Sequence, residues 1–339
     1  MSAANRPTAS APNPARMEDV ARAAGVSLVT VSRAINTPEM LAPATLATVR
    51  SAIQRLRYVP NLTAGSLASN RSHIIAAIVP TIANSIFSDT IDGLAQALVS
   101  QRYQLLLGQT QYREEEEARL IGAFLGRRVD GLVLTGIRHA KGVRARLKRA
   151  GIPVVETWDL TPRPIHMVVG FSNHAAGHAA ARYLAGKGYD SLGFVGGHDD
   201  RSAARLEGFR AGARECGISR LLVEIVPSPS SITDGGRALG ALCKSAHPRA
   251  VFCTNDMLAA GALFECQRRG FPVPQRVALM GFADLPIAAG TEPPLTSVQV
   301  RSTEMGQRAG ALLLSRLRGE PDAERIVDLG FSVVERASA

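Results

Sequence analysis

Arginine is the most frequent ionisable residue in the first 72 residues of this 339-residue chain. That segment holds eight Arg, no Lys and only three acidic residues, which makes its net charge +5 out of +10 for the whole chain. A guanidinium group can donate two parallel hydrogen bonds to phosphate oxygens or to the edge of a guanine. A short basic segment of this kind points to a polyanionic partner, and to nucleic acid in particular.

Residues that could support catalysis or metal binding carry weaker signals. His174 and His178 have a metal-capable spacing, but the general-base Glu of a zinc-protease motif and an evident third ligand are missing, which favours a surface pair. Four cysteines are spaced too far apart for a zinc cluster, at positions Cys216, Cys243, Cys253 and Cys266. We therefore expect no metal, no cofactor and no enzymatic activity.

Membrane and secreted classes are disfavoured by the distribution of apolar residues. No run approaches the ~18–20 consecutive apolar residues that cross a bilayer. Residues 1–16 lack the apolar region of a secretory signal and are predicted to be a disordered tail. We expect a cytoplasmic protein without a membrane partner, which also disfavours a periplasmic sugar-binding protein.

Three short helices are predicted in residues 17–60, which we assign as a head domain. Met17–Ala24 carries apolar residues at helical spacing and is followed by a glycine turn. Ser27 is a candidate N-cap for Leu28–Asn36, and Pro43 suits the first turn of the third helix. Two helices joined by such a turn form the helix-turn-helix pattern, whose second helix enters the major groove of DNA.

The outward residues of that second helix are predicted to reach the bases, and they are Leu28, Val29, Ser32 and Arg33. Arg33 can donate two hydrogen bonds to guanine, worth ~1–3 kcal/mol of discrimination, whereas Leu28 and Val29 can only touch thymine methyl groups. Ser27 and Thr30 would hold the helix on the phosphates. The alternative is a small helical bundle that merely has a basic surface.

Residues 73–339 are predicted to form an α/β core. Short β-rich runs, the second of them Gln104–Leu107, alternate with amphipathic stretches, which predicts parallel sheets covered by helices. About ten strands are many for one sheet, and the series divides near 171–173 and near 300. We expect two doubly wound parallel-sheet subdomains: subdomain N at about 73–172 plus 300–320, and subdomain C at about 173–299 plus 321–334.

The carboxyl ends of the predicted strands are the expected ligand site. Ligands of such sheets gather at these ends, and two joined subdomains form a cleft that closes by hinge motion. The residues that follow predicted strands are Asn84–Phe87, Trp158, residues 197–205, Asn255 with Asp256, and Asp284.

Several motifs match one known family in the order in which they occur. They are MEDVARAAGVSLVTVSRAIN at 17–36, RYVPNLTAGSLA at 57–68, VDGLVLTG at 129–136, VFCTNDMLAAGA at 251–262 and PPLTSV at 293–298. Along its whole length the chain resembles the LacI-type (lactose/purine repressor) family of bacterial transcription factors. This resemblance implies an all-α helix-turn-helix head and a core similar to the periplasmic binding proteins.

A narrower resemblance within that family is to the gluconate-utilisation repressors. It is carried by VGFSN at 169–173, FCTNDMLAAGALFECQRRG at 252–270 and LGF at 329–331.

For the DNA, the resemblance implies a homodimeric repressor on a pseudo-palindromic double-stranded operator. The hinge segment, residues 61–72, includes the DNA-binding candidate Asn61, and Leu67 would wedge into the minor groove. Packing within the linker is the alternative role for Leu67. Two departures affect expected phosphate contacts: Ala42 offers no hydroxyl cap to the third helix, and Leu62 replaces a frequent basic residue. No leucine heptads follow residue 331, so a dimer is expected rather than a coiled-coil tetramer.

For the core, the resemblance implies a small-molecule effector. The effector-binding residues would be Ser85, Ile86 and Phe87 as a cap, Trp158 as a wall, Arg205 on the ligand's oxygens, Asn255 on a hydroxyl, and Arg201 as a second cation.

One departure at the core site bears on the class of effector. Gly281 and Phe282 precede Ala283 where the family often has an aspartate. Asp284 comes next and is the effector-binding candidate that either takes over the role of this acid or points elsewhere. The effector site thus has one acid fewer than is common in the family but keeps two arginines. This balance of charge favours a sugar acid, such as gluconate or phosphogluconate, as the effector. The alternatives are that Arg205 is only a structural ion-pair partner, and that the chain is a sugar-handling α/β enzyme with a helical appendage.

Overall fold

The computed structural model describes residues 15–59, 71–83, 85–245, 247–320 and 324–339, and the chain forms two compact units, residues 1–70 and 71–339. Asn61, Leu67 and most of the predicted tail and hinge lie outside the described residues, as does the side chain of Ser85. The roles assigned to them above therefore stay predictions.

The head unit contains three helices, α1 (Met17–Ala24), α2 (Leu28–Asn36) and α3 (Pro43–Arg55), as predicted. Its small core is aliphatic, and three valines at its centre are fully buried: Val20, Val31 and Val49. The turn between α1 and α2 needs Gly25, which has a left-handed φ of 65°. Spacing and turn chemistry thus agree with the observed helix-turn-helix.

The first sheet of the core is parallel throughout. Its strands are β1 (Ile74–Val79), β2 (Gln104–Gln109), β3 (Gly131–Thr135), β4 (Val154–Thr157), β5 (Met167–Gly170) and β11 (Ile326–Asp328), in the order β11-β5-β4-β3-β1-β2. The helices that accompany it are α4 (Ser88–Val99), α5 (Glu114–Gly126), α6 (Val143–Ala150) and α12 (Ser302–Leu317). The amino ends of all six strands therefore lie at one edge of the sheet, and their carboxyl ends lie at the opposite edge.

The second sheet repeats this plan with one exception. Its strands are β6 (Leu192–Gly197), β7 (Leu221–Val226), β8 (Ala250–Cys253), β9 (Ala278–Ala283), β10 (Thr296–Val300) and β12 (Phe331–Val334), in the order β12-β10-β9-β8-β6-β7. Only β12 runs antiparallel to its neighbour. The helices are α7 (Asn173–Gly186), α8 (Asp200–Glu215), α9 (Ile232–Ser245), α10 (Asp256–Arg268) and α11 (Pro286–Gly290).

The chain crosses between the two sheets three times, and the third crossing follows β11 rather than residue 320. Residues 321–334 were expected in subdomain C, yet β11 pairs with β5 in the first sheet and only β12 joins the second. The strand was missed because its three residues alternate between exposed and buried at a sheet edge, which is too short a pattern to detect.

Helices α7 and α8 pack backbone to backbone at glycines. A Cβ atom added to Gly177 would lie 2.0 Å from the carbonyl oxygen of Arg205, and one added to Gly208 would lie 1.8 Å from that of His174. This close approach fixes the position of the Arg205 backbone relative to α7.

We predict that Gly177→Ala destabilises the core. The methyl group must push α8 away from α7, and overpacking of this kind costs about 1–3 kcal/mol or more. Urea unfolding followed by circular dichroism measures the change in the free energy of unfolding.

The matched control is Gly186→Ala in the same helix, where an added Cβ meets nothing within 4 Å. That variant should be neutral or slightly more stable than the wild type. If the two variants have the same free energy of unfolding, the α7–α8 contact can accommodate the methyl group without destabilising the core, which would contradict the prediction.

Candidate functional site

The N-terminus of α2 is held by the cap that the sequence predicted. The Ser27 hydroxyl accepts a hydrogen bond from the Thr30 backbone N–H at 3.2 Å, and the two hydroxyl oxygens are 2.9 Å apart. Thr30 is half-buried, so its hydroxyl belongs to the cap. The capping pair sets the direction in which the first turn of α2 presents its side chains.

The outward face of α2 exposes two large apolar side chains, with Leu28 at 46% and Val29 at 59%. Arg33 is exposed one turn further on, while Ser32 is half-buried and accepts a hydrogen bond from the Asn36 amide at 3.3 Å. Within the described part of the head, the Arg33 side chain has no ion-pair or hydrogen-bond partner. Its guanidinium group can therefore donate to an external acceptor.

Arg205 is the central group of the cleft in the core. It is only 4% exposed, its Nε donates to Asn173 Oδ1 at 2.9 Å, and its Nη1 donates to the Thr254 carbonyl at 3.0 Å. The guanidinium carbon lies 3.7 Å from the centre of the Phe282 ring. Phe282 and the two hydrogen-bond acceptors fix the guanidinium plane, and among the described residues no acceptor lies within hydrogen-bond distance of Nη2.

The charge of Arg205 is not neutralised by direct contact. Burial lowers its pKa to about 10, and the nearest charges that act on it are those of Asp199, Arg201 and Asp159. Among the described residues, no carboxylate forms an ion pair with it. The structural ion-pair role considered for Arg205 is therefore not what the structure contains.

Arg201 lies between two aromatic rings of the first subdomain. Its guanidinium carbon is 5.5 Å from the Phe87 ring centre and 5.9 Å from that of Tyr112, distances that favour cation–π attraction. Asp199 Oδ1 is 4.0 Å from its Nη2. Burial raises the pKa of Tyr112, so its hydroxyl keeps its proton and can donate. Arg201 on α8 thus contacts groups that follow β1 and β2 across the cleft.

Trp158 is buried and fully hydrogen-bonded. Its indole N–H donates to the Thr90 hydroxyl at 3.1 Å, and its backbone carbonyl accepts from the Asn173 amide at 2.8 Å. The Phe87 ring packs edge-on against it at 5.0 Å. Ile86 is buried beside Phe87. Trp158 can offer a ligand an apolar surface but no polar atom of its side chain.

Asn255 and Asp284 differ in what they can offer a ligand. Asn255 caps α10, accepting from the Leu258 N–H at 2.8 Å, and its amide donates to Ser230 at 3.0 Å. Asp284 has both oxygens engaged, one by Arg336 at 2.6 Å and the other by Gln299 at 3.0 Å. The Asp284 carboxylate is therefore directed to β12 and its neighbourhood, and we do not retain it as a replacement for the acid missing at Ala283.

A different acid holds the backbone of that region. Asp256 is completely buried, accepts from the Ser297 hydroxyl at 2.6 Å, and accepts from the Leu285 N–H at 2.7 Å. Burial raises its pKa to about 7. The Leu285 N–H directly follows the Ala283–Asp284 turn, and the Ser297 hydroxyl accepts from the Asp284 N–H at 3.1 Å, so Asp256 holds a turn whose φ angles of 96° and 55° lie in the left-handed region.

Sequence reasoning missed four contributors to the cleft: Tyr112, Asp159, Asn173 and Thr254. Three of them follow strand ends that the prediction had identified, and Tyr112 was missed because β2 was ended at Leu107 rather than at Gln109. Applying the strand-end rule to the full length of β2 would have found it.

A buried histidine fixes the loop that faces Arg201. His139 Nδ1 lies 2.9 Å from Glu117 and its Nε2 lies 3.1 Å from Glu156. Burial alone would lower its pKa, but the hydrogen bonds and charges of the two glutamates raise it to about 9. Beside it, Arg138 forms an ion pair of 3.5 Å with Asp200 in the second subdomain.

Comparisons with known proteins agree with this two-part chain. Residues 16–61 match the family described as "Bacterial regulatory proteins, lacI family", and residues 181–339 match a periplasmic binding protein-like domain. The HTH-type transcriptional regulator GntR of Pseudomonas aeruginosa is 37% identical over 326 residues, which is 95% of each chain. The protein of that name from Escherichia coli K12 is 31% identical, over 94% of this chain and 96% of its own.

The chain belongs to the LacI family of bacterial regulatory proteins. A LacI-family regulator of Silicibacter pomeroyi superimposes with a TM-score of 0.88 at 31% identity, covering 96% of this chain and 99% of its own. The transcription regulator GntR of Chromobacterium violaceum gives 0.75 at 37% identity, covering 78% of this chain and 98% of its own.

As a LacI-family member, the chain is a DNA-binding transcriptional regulator with a domain that binds small molecules. The alternative of a sugar-handling enzyme is therefore excluded. None of the described helices is long and apolar enough to cross a membrane. Nor do the described His, Cys, Asp and Glu side chains form a group of three that could hold a metal ion.

We predict a pH-dependent loss of stability from His139. Because its pKa is about 9 in the folded chain and ordinarily near 6.5, its contribution is complete below pH 6.5 and is lost as the pH rises through 9. The contribution is up to about 3 kcal/mol. Urea unfolding at several pH values between 6.5 and 9.5 measures it.

His139→Gln should flatten this dependence, whereas His174→Gln, at an exposed position, should leave it unchanged. An equally steep fall in both variants would contradict the assignment to His139.

Proposed function

We propose that this LacI-family regulator represses transcription by binding operator DNA through α2, and that a sugar acid bound at Arg201 and Arg205 controls this binding. The observation that carries the proposal is the Arg205 cation, 4% exposed and without a carboxylate partner. A buried charge without a counter-ion is unfavourable, and a ligand carboxylate or phosphate would supply one.

The polar groups around the arginines suit a polyol that carries an acid group. The Tyr112 hydroxyl, the Asp159 carboxylate and the Asn255 amide can exchange hydrogen bonds with hydroxyl groups. Burial raises the pKa of Asp159, which nevertheless accepts a hydrogen bond from the Leu160 N–H at 2.9 Å. The resemblance to gluconate-utilisation repressors, and the name GntR of two relatives, support gluconate or a phosphogluconate as the effector.

Closure of the cleft would couple the effector to the operator. Arg201 on the second subdomain already contacts Phe87 and Tyr112 on the first, so an anion at this arginine changes how the subdomains hold together. A structural neighbour with 22% identity and a TM-score of 0.83 is the lac repressor dimer bound to operator. We propose a homodimer here too, with Asn61 and Leu67 as hinge contacts to DNA. The coupling between the two sites must be reciprocal: the effector changes the affinity for the operator by the same factor as the operator changes the affinity for the effector, whether binding is strengthened or weakened.

Isothermal titration calorimetry tests the effector class. We predict binding of gluconate or 6-phosphogluconate to the full chain, and no comparable binding of glucose or ribose. Arg201→Gln should weaken the binding at least about tenfold, as expected for loss of a hydrogen bond to a charged group.

The matched control is Arg210→Gln, an exposed position on the same helix, whose pair with Glu207 faces solvent. It should bind the sugar acid as the wild type does. Tight binding of a neutral sugar, with none for either acid, would overturn the proposed effector class.

A binding assay on DNA tests the role of α2. The probe is a duplex selected from a random pool by the wild-type protein. We predict that Arg33→Ala reduces the preference for this duplex over a scrambled one by about 5–150-fold, the value of one bidentate base contact.

Arg22→Ala is the control, because Arg22 is exposed on α1 and pairs with Asp19. It should keep the sequence preference. An Arg33→Ala protein that still discriminates as the wild type does would contradict base reading by Arg33.

A further inference from the structure

We propose that the core carries a second DNA-binding surface, the amino-end face, which contacts phosphates that flank the operator. We define this face by the exposed cations that lie in the turns preceding strands of the first sheet, or at the helix end just before such a turn: Arg102, Arg127, Arg128, Lys148, Arg149 and Arg325. The inference rests on the DNA binding proposed for the head.

The topology gathers these residues at one edge. The first sheet is parallel throughout, so the turns ahead of β2, β3, β4 and β11 all lie beside the amino ends of its strands. Three of these turns carry an exposed Arg, and the turn ahead of β4 follows the exposed Lys148 and Arg149 in the last turn of α6. The cleft, with Arg201 and Arg205, lies at the opposite edge and is not part of this surface.

Acidic side chains near the amino-end face are already engaged. Asp130 accepts from the backbone N–H groups of Ser72 and His73, at 2.8 and 2.9 Å. Glu320 is paired with Arg318, and Glu324 with Arg308. The six defining cations therefore have no carboxylate partner among the described residues.

The charges of two of these cations, together with that of Arg316, act on the same neighbouring side chain. The pKa of His166, half-buried just ahead of β5, is lowered by burial and then by Arg316, Lys148 and Arg325. Crowding of like charge is unfavourable in water and is relieved when a polyanion approaches.

Favourable interaction with helix dipoles explains the presence of only some of these cations. A cation in the last turn of a helix interacts favourably with the helix dipole, which accounts for one cation at each helix end. It does not account for the adjacent pairs Arg127–Arg128 and Lys148–Arg149, nor for Arg325, which follows no described helix end directly.

The chain itself brings duplex DNA within reach of this face. The core begins at Arg71, directly before β1, at the same edge. Eleven residues separate Val59 of the head from Arg71, at most about 40 Å of fully extended chain. A duplex held by the head is therefore kept at a high effective concentration near the amino-end face.

Duplexes of two lengths test the proposal with the full chain. One has 20 base pairs and the other 50, both centred on the duplex selected by the wild-type protein. The test variant is Arg102→Gln, Arg127→Gln, Lys148→Gln. The control variant, Arg214→Gln, Lys244→Gln, Arg249→Gln, removes the same charge from the helix ends ahead of β7 and β8 and from the residue directly before β8 in the second sheet.

We expect the wild type and the control variant to bind the longer duplex at least fivefold more tightly than the shorter one. The test variant should bind both lengths alike. Its slope of log affinity against log salt on the longer duplex should fall by about two to three, near 0.9 per lost phosphate contact. Circular dichroism confirms that both variants fold.

Three results would overturn the proposal. One is equal wild-type affinity for both lengths, and another is equal behaviour of the test and control variants. The third is competition by a polyglutamate peptide as strong as that by non-operator duplex, which would assign the face to an acidic protein. Loss of binding to both lengths by the wild type would instead contradict the proposed function of the head.

Discussion

A buried chain of hydrogen bonds through Arg205 joins the two halves of the core. It runs from the Trp158 carbonyl beyond β4 to Asn173, then to the Arg205 guanidinium, and ends on the Thr254 carbonyl beyond β8. The contact of Gly177 with the Arg205 backbone fixes where this chain can form. Because the acceptors are neutral, the arrangement orients a cation without neutralising it. The same groups therefore hold the cleft together and keep a charge available to an anionic ligand.

Local features of the head were predictable because their causes are local. The Ser27 cap, the left-handed Gly25 and the three buried valines each follow from residues within one or two turns. In the core, the alternation of strands and helices was enough to predict two parallel sheets. The strand-end rule also found most of the cleft, including Phe87 and both arginines.

What could not be predicted depends on partners far away in the chain. Asp284 is directed away from the cleft by Arg336, 52 residues later, and Asn173 is bound to Arg205, 32 residues later. The short strand β11 exists only because β5 offers a parallel edge to it. No local pattern encodes such pairings, so the sequence left open whether Asp284 replaces the acid missing at Ala283. The direction of parallel strands, in contrast, places the cleft arginines and the amino-end cations at opposite edges of the core.

A crystal structure of the full chain with gluconate tests directly whether Arg201 and Arg205 bind the carboxylate of a sugar acid, because it shows where the carboxylate lies. We predict ligand density between the subdomains, with the carboxylate within hydrogen-bond distance of Arg201 and of Arg205 Nη2. The bonds from Arg205 to Asn173 and Thr254 should be retained. A ligand whose carboxylate lies away from both arginines, or an Arg205 that leaves Asn173 to pair with an acidic side chain, would contradict it.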